Sequence, residues 1–454
     1  MSEVKAVRRV YAIHSDEVAN LPEQARRWAQ ATGFKAASGS VLLVPDASGK
    51  VSEAVLGLGG RADSAPASSL QTGALVEHLP AGQWQLAPGA LDADLAELGF
   101  LMGGYRFDRY RSKAKPAERP VLEVEGASGQ AKLLFGGISL TRDLINTPAN
   151  DMGPEAIEQA VRNMAATSGG TVSVIAGDAL LEQNFPMIHA VGRAGPQAPR
   201  LIDLTFGPED APRVTLVGKG VAFDTGGLDI KPASGMLLMK KDMGGAANVL
   251  GLAKILMEQN SAIRLRVLVP AVENSIASNA FRPGDVLTSR AGKTVEIGNT
   301  DAEGRLILAD ALAVADEESP ELLVDMATLT GAARVALGPD LPPMYTSDDQ
   351  LAGELAAAAH DLADPLWRMP LWKPYAANLS SRIADMNNVT PDGFAGSITA
   401  ALFLESFVER AKSWVHFDVF GWRAKTVPYG GIGGEAQCIR ALHAVITRRY
   451  GHAG

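Results

Sequence analysis

Residues 299–305, which read NTDAEGR, place two carboxylates one residue apart and follow them with a guanidinium. In an extended segment, residues i and i+2 project to the same side, so Asp301 and Glu303 would face one point and repel each other. We therefore expect a cation between them. This cation is either Arg305 alone or a metal ion that other parts of the chain also help to bind.

Further acids and lysines follow apolar runs elsewhere in the chain. The segment GKGVAFDTGGLDIK contains Lys219, Asp224 and Lys231, and KKDMGG contains Asp242. With the two acids above, four carboxylates thus lie where predicted strands lead into predicted helices. Buried carboxylates without cations would be costly at such positions, so the set predicts a cation site.

Each of these residues also has a purely structural explanation. Asp242 immediately precedes a helical pattern, where capping and the helix dipole favour an acid without any metal. Arg305 could pair with a neighbouring acid, and single lysines such as Lys219 and Lys231 are typical of solvated surfaces. The metal interpretation is favoured because all of these separate explanations would have to hold at once.

The elements that must position these residues indicate an α/β fold with two parts. Residues 1–125 alternate short apolar runs with turns rich in Pro, Gly and Ala, which predicts a small N-terminal α/β domain without a metal-ligand cluster. Residues 126–150 predict a connecting helix and linker, because AKLLFGGISLTRDLIN has helical spacing and Pro148 disfavours helix at Thr147. Residues 151–454 form the larger C-terminal domain.

Strand-like and helix-like runs alternate in this larger domain, which predicts a mainly parallel central sheet flanked by helices. The predicted strands are RVTLVGKG, RLRVLVPAVEN, LLVDMATLTG and WVHFDVFG, and the predicted helices are MGGAANVLGLAKILMEQ and GRLILADALAVADEE. Ligand sites in such sheets gather at the carboxyl ends of strands. The acids and lysines above follow those ends.

Composition excludes several classes of protein. The 454 residues are 46% hydrophobic and 20% charged, as in a globular protein of two or more domains, and the net charge of -9 gives no general attraction to nucleic acid or anionic membrane. The N-terminus lacks the apolar core of a signal peptide, and no run approaches the roughly 18 apolar residues of a membrane span. These features predict a cytoplasmic protein.

The cysteine and the histidines do not indicate a second catalytic or metal-binding site. The one cysteine, Cys438, cannot form an internal disulfide, and the apolar spacing around it predicts a residue packed in a helix. None of the seven histidines forms an HExxH pair, which disfavours the histidine-based zinc peptidases. His416, in WVHFDVFG, is predicted to be a core residue or to support the site from behind.

The strings VGKGVAFDTGGLDIKP, KKDMGGAANV, NTDAEGRLILADAL and DMATLTGA, with NTPAND upstream, closely resemble the leucyl (cytosol) aminopeptidase family of dinuclear metallopeptidases. The resemblance covers residues 140–420 and makes 151–454 the catalytic domain. It implies two divalent metal ions per subunit, with zinc or manganese favoured, and peptide substrates with a free N-terminus. It also implies a homohexamer.

The resemblance carries roles over to individual residues. The implied metal ligands are Lys219, Asp224, Asp242, Asp301 and Glu303. Lys231 would polarise the substrate carbonyl, and Arg305 would hold a bicarbonate-type anion that serves as general base. The residues implied around this anion are Ala302, Gly304, Arg305 and Leu329. The residues implied to line the pocket for the N-terminal side chain are Met239, Thr328 and Gly331.

The chemistry explains these residue types. Two divalent ions roughly 3.5 to 4 Å apart can share a water, lower its pKa and bind the scissile carbonyl. A lysine can act as a ligand only as the neutral amine, which an adjacent dication favours. Lys231, kept charged, would stabilise the oxyanion of the tetrahedral intermediate. Oxygen ligands suit Mn²⁺ or Mg²⁺, while a nitrogen ligand and a hydrolytic task suit Zn²⁺.

The sequence departs from the family pattern near its end. Phe420 and the later GGIGG stand where many members have Ala-Gly followed by a Thr-Gly pair, in a region that shapes the substrate pocket. Peptide hydrolysis is therefore predicted, whereas the preferred N-terminal residue is left open. Two alternatives stay open: a binding protein, since some relatives also act as DNA-binding regulators, and a dinuclear phosphoesterase, which would use a similar group of carboxylates.

Overall fold

A computed structural model describes residues 7–61, 66–89, 91–112 and 118–451, and the chain divides into two compact units. The smaller unit contains the chain up to Ser139 together with residues 360–363 and 425–432. The larger unit contains the remainder. No helix in the described ranges is long and apolar enough to cross a membrane.

The described part of the smaller unit contains a five-stranded sheet in the order β2-β3-β1-β4-β5, antiparallel between β2 and β3 and parallel elsewhere. Its strands are β1 (Arg8–Ile13), β2 (Val41–Pro45), β3 (Val51–Gly57), β4 (Gly82–Leu86) and β5 (Pro120–Val124). Its helices are α1 (Glu23–Thr32), α2 (Leu75–His78) and α3 (Ala93–Gly103), and α4 (Gln130–Asn146) begins here. Val10, Leu56 and Trp84 are fully buried in its core.

The larger unit is built on a nine-stranded sheet. Its strands are β6 (Thr171–Ala176), β7 (Arg200–Phe206), β8 (Arg213–Gly218), β9 (Gly220–Asp224), β10 (Arg264–Asn274), β13 (Leu322–Ala327), β14 (Pro343–Tyr345), β15 (Trp367–Arg368) and β17 (Trp414–Asp418). The order is β15-β14-β17-β13-β8-β10-β7-β6, with β9 paired to the end of β10. The pairs among β17, β13, β8 and β10 are parallel, so four neighbouring strands share one carboxyl edge.

Short strands and ten helices complete the described part of this unit. The short strands are β11 (Val286–Thr288), β12 (Thr294–Glu296), β16 (Met386–Asn387), β18 (Trp422–Arg423) and β19 (Gly433–Gly434). The helices are α5 (Pro154–Ser168), α6 (Ala179–Glu182), α7 (Pro186–Gly192), α8 (Ala233–Met236), α9 (Gly244–Glu258), α10 (Gly304–Asp316), α11 (Gly331–Leu337), α12 (Asp349–Asp361), α13 (Gly396–Glu405) and α14 (Ile439–Tyr450).

Helices α9 and α10 cover opposite faces of the central strands. Val217 packs in the core that contains α10, whereas the next residue of β8, Gly218, faces α9 so closely that an added Cβ would lie 2.6 Å from Ala246 Cα. Successive residues of a strand point to opposite faces, so the two helices sandwich the sheet. Both helices begin beside the carboxyl edge, and this brings the residues before them to one place.

The sequence predicted this architecture correctly in outline. The predicted mainly parallel sheet flanked by helices is confirmed, and the predicted strands and helices match elements of the structure. One detail was wrong: RVTLVGKG was predicted as one strand, but Lys219 interrupts it between β8 and β9. Cys438 is fully buried, as expected, but it lies one residue before α14 with φ 66° and so not within the helix.

Candidate metal centre

The loop after β9 turns back sharply and returns a lysine to the acid at the end of the strand. Gly226 has φ 89°, and a Cβ there would lie 2.4 Å from Asp229 O, so this position requires glycine. The turn places Lys231 Nζ 2.8 Å from Asp224 Oδ2 and in contact with Asp301 Oδ1. Two of the predicted ligands thus share one ammonium group.

The NTDAEGR segment is a turn that leads into α10, and the extended conformation expected from the sequence was wrong. Glu303 has φ -74° and ψ -34°, and it directly precedes the helix. The backbone at the start of the helix therefore sets the position of the Glu303 side chain, whereas the backbone of the turn sets that of Asp301. The segment forms a turn because side chains from distant parts of the chain form hydrogen bonds with it.

Lys219 lies at the centre of the other half of the group. It is buried, its Nζ lies 2.8 Å from Asp242 Oδ2 and 2.9 Å from Glu303 Oε1, and it donates a hydrogen bond to Thr328 O at 3.0 Å. An added Cβ at Gly304 would lie 2.6 Å from Lys219 Cε. The glycine of NTDAEGR therefore leaves room for the lysine.

The structure brings three of the predicted ligands into one compact group. Asp224, Asp242 and Glu303 each offer a carboxylate oxygen within 4.8 Å of the others. Asp301 lies outside this group and reaches it through Lys231, which it shares with Asp224. The five predicted ligands and Lys231 therefore form one continuous cluster of alternating charge.

Three buried carboxylate oxygens in this cluster lie against lysine ammonium groups, and a fourth has no donor. Lys219 Nζ lies close to Asp242 Oδ2 and Glu303 Oε1, and Lys231 Nζ contacts Asp301 Oδ1. Within the described residues, the buried Glu303 Oε2 accepts no hydrogen bond. Buried carboxylates without donors are costly unless cations compensate them. The donor set consists of carboxylate oxygens and one amine, which fits divalent metal ions.

The electrostatics show how strongly this group needs positive charge. Burial and the neighbouring Asp242 raise the pKa of Asp224 to about 6, and burial with Asp224 nearby raises that of Glu303 to about 8. Burial alone would lower the pKa of Lys219, but Asp242 and Glu303 raise it above its ordinary value. The two lysines therefore hold protons that compensate the acids.

Arg305 is not the ion-pair partner of the two acids before it. Among the described residues it forms no ion pair; its Nη1 donates to Asn388 O at 2.6 Å, and its buried Nε has no partner. Burial lowers the pKa of Arg305 to about 10 although Asp418 and Glu303 act against this. Lys219 and Lys231 contact the acids instead, so the guanidinium keeps donors for another group.

A cavity of about 460 Å³ opens beside the cluster. The predicted pocket residues that line it are Met239, Thr328 and Gly331, and Leu329 and Phe420 line it too. Leu329 N donates to Asp418 Oδ1 at 2.9 Å. Ala302 and Gly304 flank Glu303 in the chain and are not part of this lining.

Sequence reasoning missed residues that hold these loops in place. Asn274, the last residue of β10, donates from Nδ2 to Asp224 Oδ1 at 2.8 Å and to Thr300 O at 3.1 Å. Asp229 Oδ2 accepts from Thr300 N at 2.8 Å, and Asn388 Oδ1 accepts from the backbone of NTDAEGR and the residue before it. A polar residue ending an apolar strand could have identified Asn274, whereas Asn388 lies in a segment without such a signal.

His416 belongs to the core behind the site. It is fully buried, its Nδ1 lies 2.5 Å from Asp325 Oδ1, and Trp414 Nε1 donates to Asp325 Oδ2 at 2.8 Å. Asp325 and His416 face each other on the paired strands β13 and β17. This pair connects two strands whose ends lead to cavity residues.

Comparisons with known proteins agree along the chain. The family model described as "Cytosol aminopeptidase family, catalytic domain" matches residues 139–443, and the one described as "M17 aminopeptidase, N-terminal domain" matches residues 15–123. A probable cytosol aminopeptidase of Roseiflexus castenholzii is 41% identical over 349 residues, 74% of this chain and 71% of that protein. A probable cytosol aminopeptidase of Nocardia farcinica is 40% identical over 376 residues, 79% of this chain and 74% of that protein.

Solved structures show the same similarity in three dimensions. The cytosol aminopeptidase of Coxiella burnetii has a TM-score of 0.92 and 44% identity, with 98% of each chain covered. The bottromycin maturation enzyme BotP in complex with Mn has a TM-score of 0.89 and 33% identity, covering 97% of this chain and 98% of that one.

Proposed function

The chain belongs to the cytosol aminopeptidase family, and we propose that it removes N-terminal residues from peptides with two divalent metal ions per subunit. It is a metallo-aminopeptidase by family. The proposed ligands are Lys219, Asp224, Asp242, Asp301 and Glu303. The observation that supports this is a compact group of three buried carboxylates beside a cavity, in which Glu303 Oε2 accepts no hydrogen bond from the described residues.

Metal identity, location and assembly are part of the proposal. Manganese or zinc suits four carboxylates and one amine, and the Mn complex of BotP supports manganese. The relatives' description as cytosol aminopeptidases supports a cytoplasmic location. A homohexamer is proposed from the family resemblance.

When bound, the two ions would supply Lewis-acid chemistry, lowering the pKa of a shared water and polarising the scissile carbonyl. The chain's own residues bind and orient the substrate. Lys231 lines the cavity and, as an ammonium, can donate to the carbonyl oxygen while negative charge develops there. Substrates need a free α-amino group, because a neutral amine binds a metal and an acetylated one does not.

Arg305 is proposed to hold a bicarbonate-type anion as the general base. Its guanidinium is buried, and its Nε has no hydrogen-bond partner in the described part of the chain. An anion there would use the unpaired donor and lie near Glu303. The anion would accept the proton of the attacking water and pass it to the leaving amine.

A metal-by-substrate assay tests the proposed function. Protein stripped with a chelator should be inactive on leucyl amide and should recover with Mn²⁺ or Zn²⁺, whereas acetyl-leucyl amide should stay a poor substrate. Equal rates on both amides would contradict an exopeptidase. Metal-dependent hydrolysis of p-nitrophenyl phosphate without hydrolysis of any aminoacyl amide would decide for the phosphoesterase alternative.

A further inference from the structure

A third lysine that lines the cavity beside the proposed metal centre has no role in the proposed mechanism. Lys241 directly precedes Asp242, is only 6% exposed, and lines the cavity. Within the described chain, its ammonium forms neither a hydrogen bond nor an ion pair. An ammonium has three donors, and this one finds no acceptor in the described chain, so its donors are available to a molecule that enters the cavity.

The nearby groups compensate this charge only in part. Lys241 Nζ lies 4.4 Å from the centroid of the Phe420 ring, and the guanidinium of the exposed Arg334 lies 5.6 Å from the same ring. A ring face attracts a cation but accepts no conventional hydrogen bond from it. Two cations therefore share one ring, and their mutual repulsion adds to the cost.

The acids closest to Lys241 already have partners. Asp242 pairs with Lys219 at 2.8 Å. Asp418 accepts from Leu329 N at 2.9 Å, from Thr330 N at 3.1 Å and from Thr330 Oγ1 at 2.6 Å. The ammonium thus faces a cavity in which an incoming anion would find unused donors.

The position of this lysine indicates which part of a substrate it would meet. It lines the same cavity as Met239, Thr328 and Gly331, the residues proposed to contact the N-terminal side chain. Both Lys241 and Arg334 lie close to the Phe420 ring. A leucine side chain would cover the ammonium with apolar surface, whereas a carboxylate would form a charge-assisted hydrogen bond with it.

We propose that the cavity selects peptides with an acidic N-terminal residue, aspartate or glutamate, whose side-chain carboxylate pairs with Lys241, with Arg334 adding positive charge at the rim. This inference rests on the proposed aminopeptidase function and adds a substrate class to it. Phe420, which departs from the family pattern, then serves as the apolar wall against which both cations lie.

The test compares substrates that differ only in charge. We expect kcat/KM for glutamyl p-nitroanilide to exceed that for glutaminyl p-nitroanilide about 10- to 100-fold with the metal-loaded enzyme, the range of a hydrogen bond to a charged group. Aspartyl against asparaginyl p-nitroanilide tests the shorter side chain. Leucyl p-nitroanilide reports aminopeptidase activity without a charged side chain.

Variants then assign the preference to one ammonium. Lys241→Met should bring the glutamyl-to-glutaminyl ratio close to one while leucyl turnover persists, and Lys241→Arg should keep the ratio above one. The matched control is Lys240→Met, which removes the same charge one residue earlier. Lys240 Nζ donates to Asn146 O at 2.7 Å and is not part of the cavity lining, so its variant should keep the wild-type ratio.

The outcomes distinguish failure of the acidic preference from failure of the proposed aminopeptidase function. Leucyl turnover with equal rates on glutamyl and glutaminyl substrates in the wild type would overturn the acidic preference and leave the aminopeptidase assignment intact. A preference that survives in Lys241→Met would overturn the role of Lys241. Failure to hydrolyse any of the five substrates with any metal would overturn both proposals.

Discussion

At the scale of single residues, Glu303 has the least compensated charge in the proposed metal centre. Its carboxylate is buried, Lys219 Nζ lies 2.9 Å from Oε1, and Oε2 accepts no hydrogen bond from the described residues. We predict that Glu303→Gln binds less metal and loses about 10²-fold or more of its turnover, since an amide carries no charge for a dication. Elemental analysis gives the metal stoichiometry, and circular dichroism checks the fold.

The control for Glu303→Gln is Glu354→Gln, at a partly exposed acid that accepts from Arg449 Nε at 2.6 Å outside the cavity. This variant should keep full metal content and activity. Unchanged metal binding and turnover in Glu303→Gln would remove Glu303 from the ligand set.

Arg305 poses a different question, because it does not neutralise the acids beside it in the chain. If it anchors an anionic base, Arg305→Met should keep both metals and lose about 10²- to 10⁴-fold in kcat, with KM changed much less. Added bicarbonate should stimulate bicarbonate-depleted wild type more than the variant. A variant that loses metal in parallel with activity would show that Arg305 supports the ligands and not a base.

At the scale of elements, the sequence predicted which runs end at the site. The strands β8, β10, β13 and β17 are apolar runs of the type that parallel sheets bury, and polar residues follow them closely. Ligands at such ends could therefore be predicted without knowing any contact. The prediction rested on the repeated pattern of an apolar strand, a short polar segment and a helix.

The turns between these elements could not be predicted in the same way. The NTDAEGR turn depends on Asp229 and Asn388, which lie 71 and 89 residues away from their partners in it. The secondary-structure propensity of a short segment does not depend on such distant contacts. The expectation of an extended segment was therefore wrong.

One buried ion pair joins α4 to the β18–β19 hairpin. Glu435 lies between Arg142 Nη2 at 3.1 Å and Arg423 Nε at 2.8 Å, and all three are largely buried. Burial alone would raise the pKa of Glu435, but the two arginines hold it below its ordinary value. Removing one partner of such a pair leaves uncompensated charge and costs about 3 to 5 kcal/mol.

We predict that Glu435→Gln lowers the free energy of unfolding by about this amount at pH 7. Because the folded pKa is depressed, the carboxylate's contribution is present above pH 4.5, its ordinary value, and is lost as the pH falls below it. Urea denaturation from pH 7 to pH 3.5 should therefore show the variant approaching the wild type. The partly exposed pair of Glu354 and Arg449 should cost less than about 1 kcal/mol when removed, and an equal loss in both variants would contradict this account.

At the scale of the whole molecule, the chain divides into two compact units, and their boundaries depend on tertiary contacts. The composition changes near residue 125, but the contact units divide at Ser139 and Leu140, within α4. Residues 360–363 and 425–432 join the smaller unit from far along the chain. The sequence pattern does not show to which unit such segments belong, because tertiary contacts with distant residues determine it.

The larger unit exposes apolar side chains that are candidates for contacts in the proposed homohexamer. Leu237 is 80% exposed and Val335 82%, and each directly adjoins a residue that lines the cavity. Large apolar side chains this exposed favour contact with another protein surface when they lie together with others.

We therefore predict that light scattering after size exclusion gives six chain masses for the wild type, and that Leu237→Asp or Val335→Asp gives smaller species, because a buried unpaired charge opposes association. Val121→Asp is the control, since Val121 is 51% exposed on β5 of the smaller unit, and its variant should remain hexameric. A wild type of one chain mass at every concentration would contradict the hexamer, and intact hexamers of both aspartate variants would remove these two residues from its interfaces.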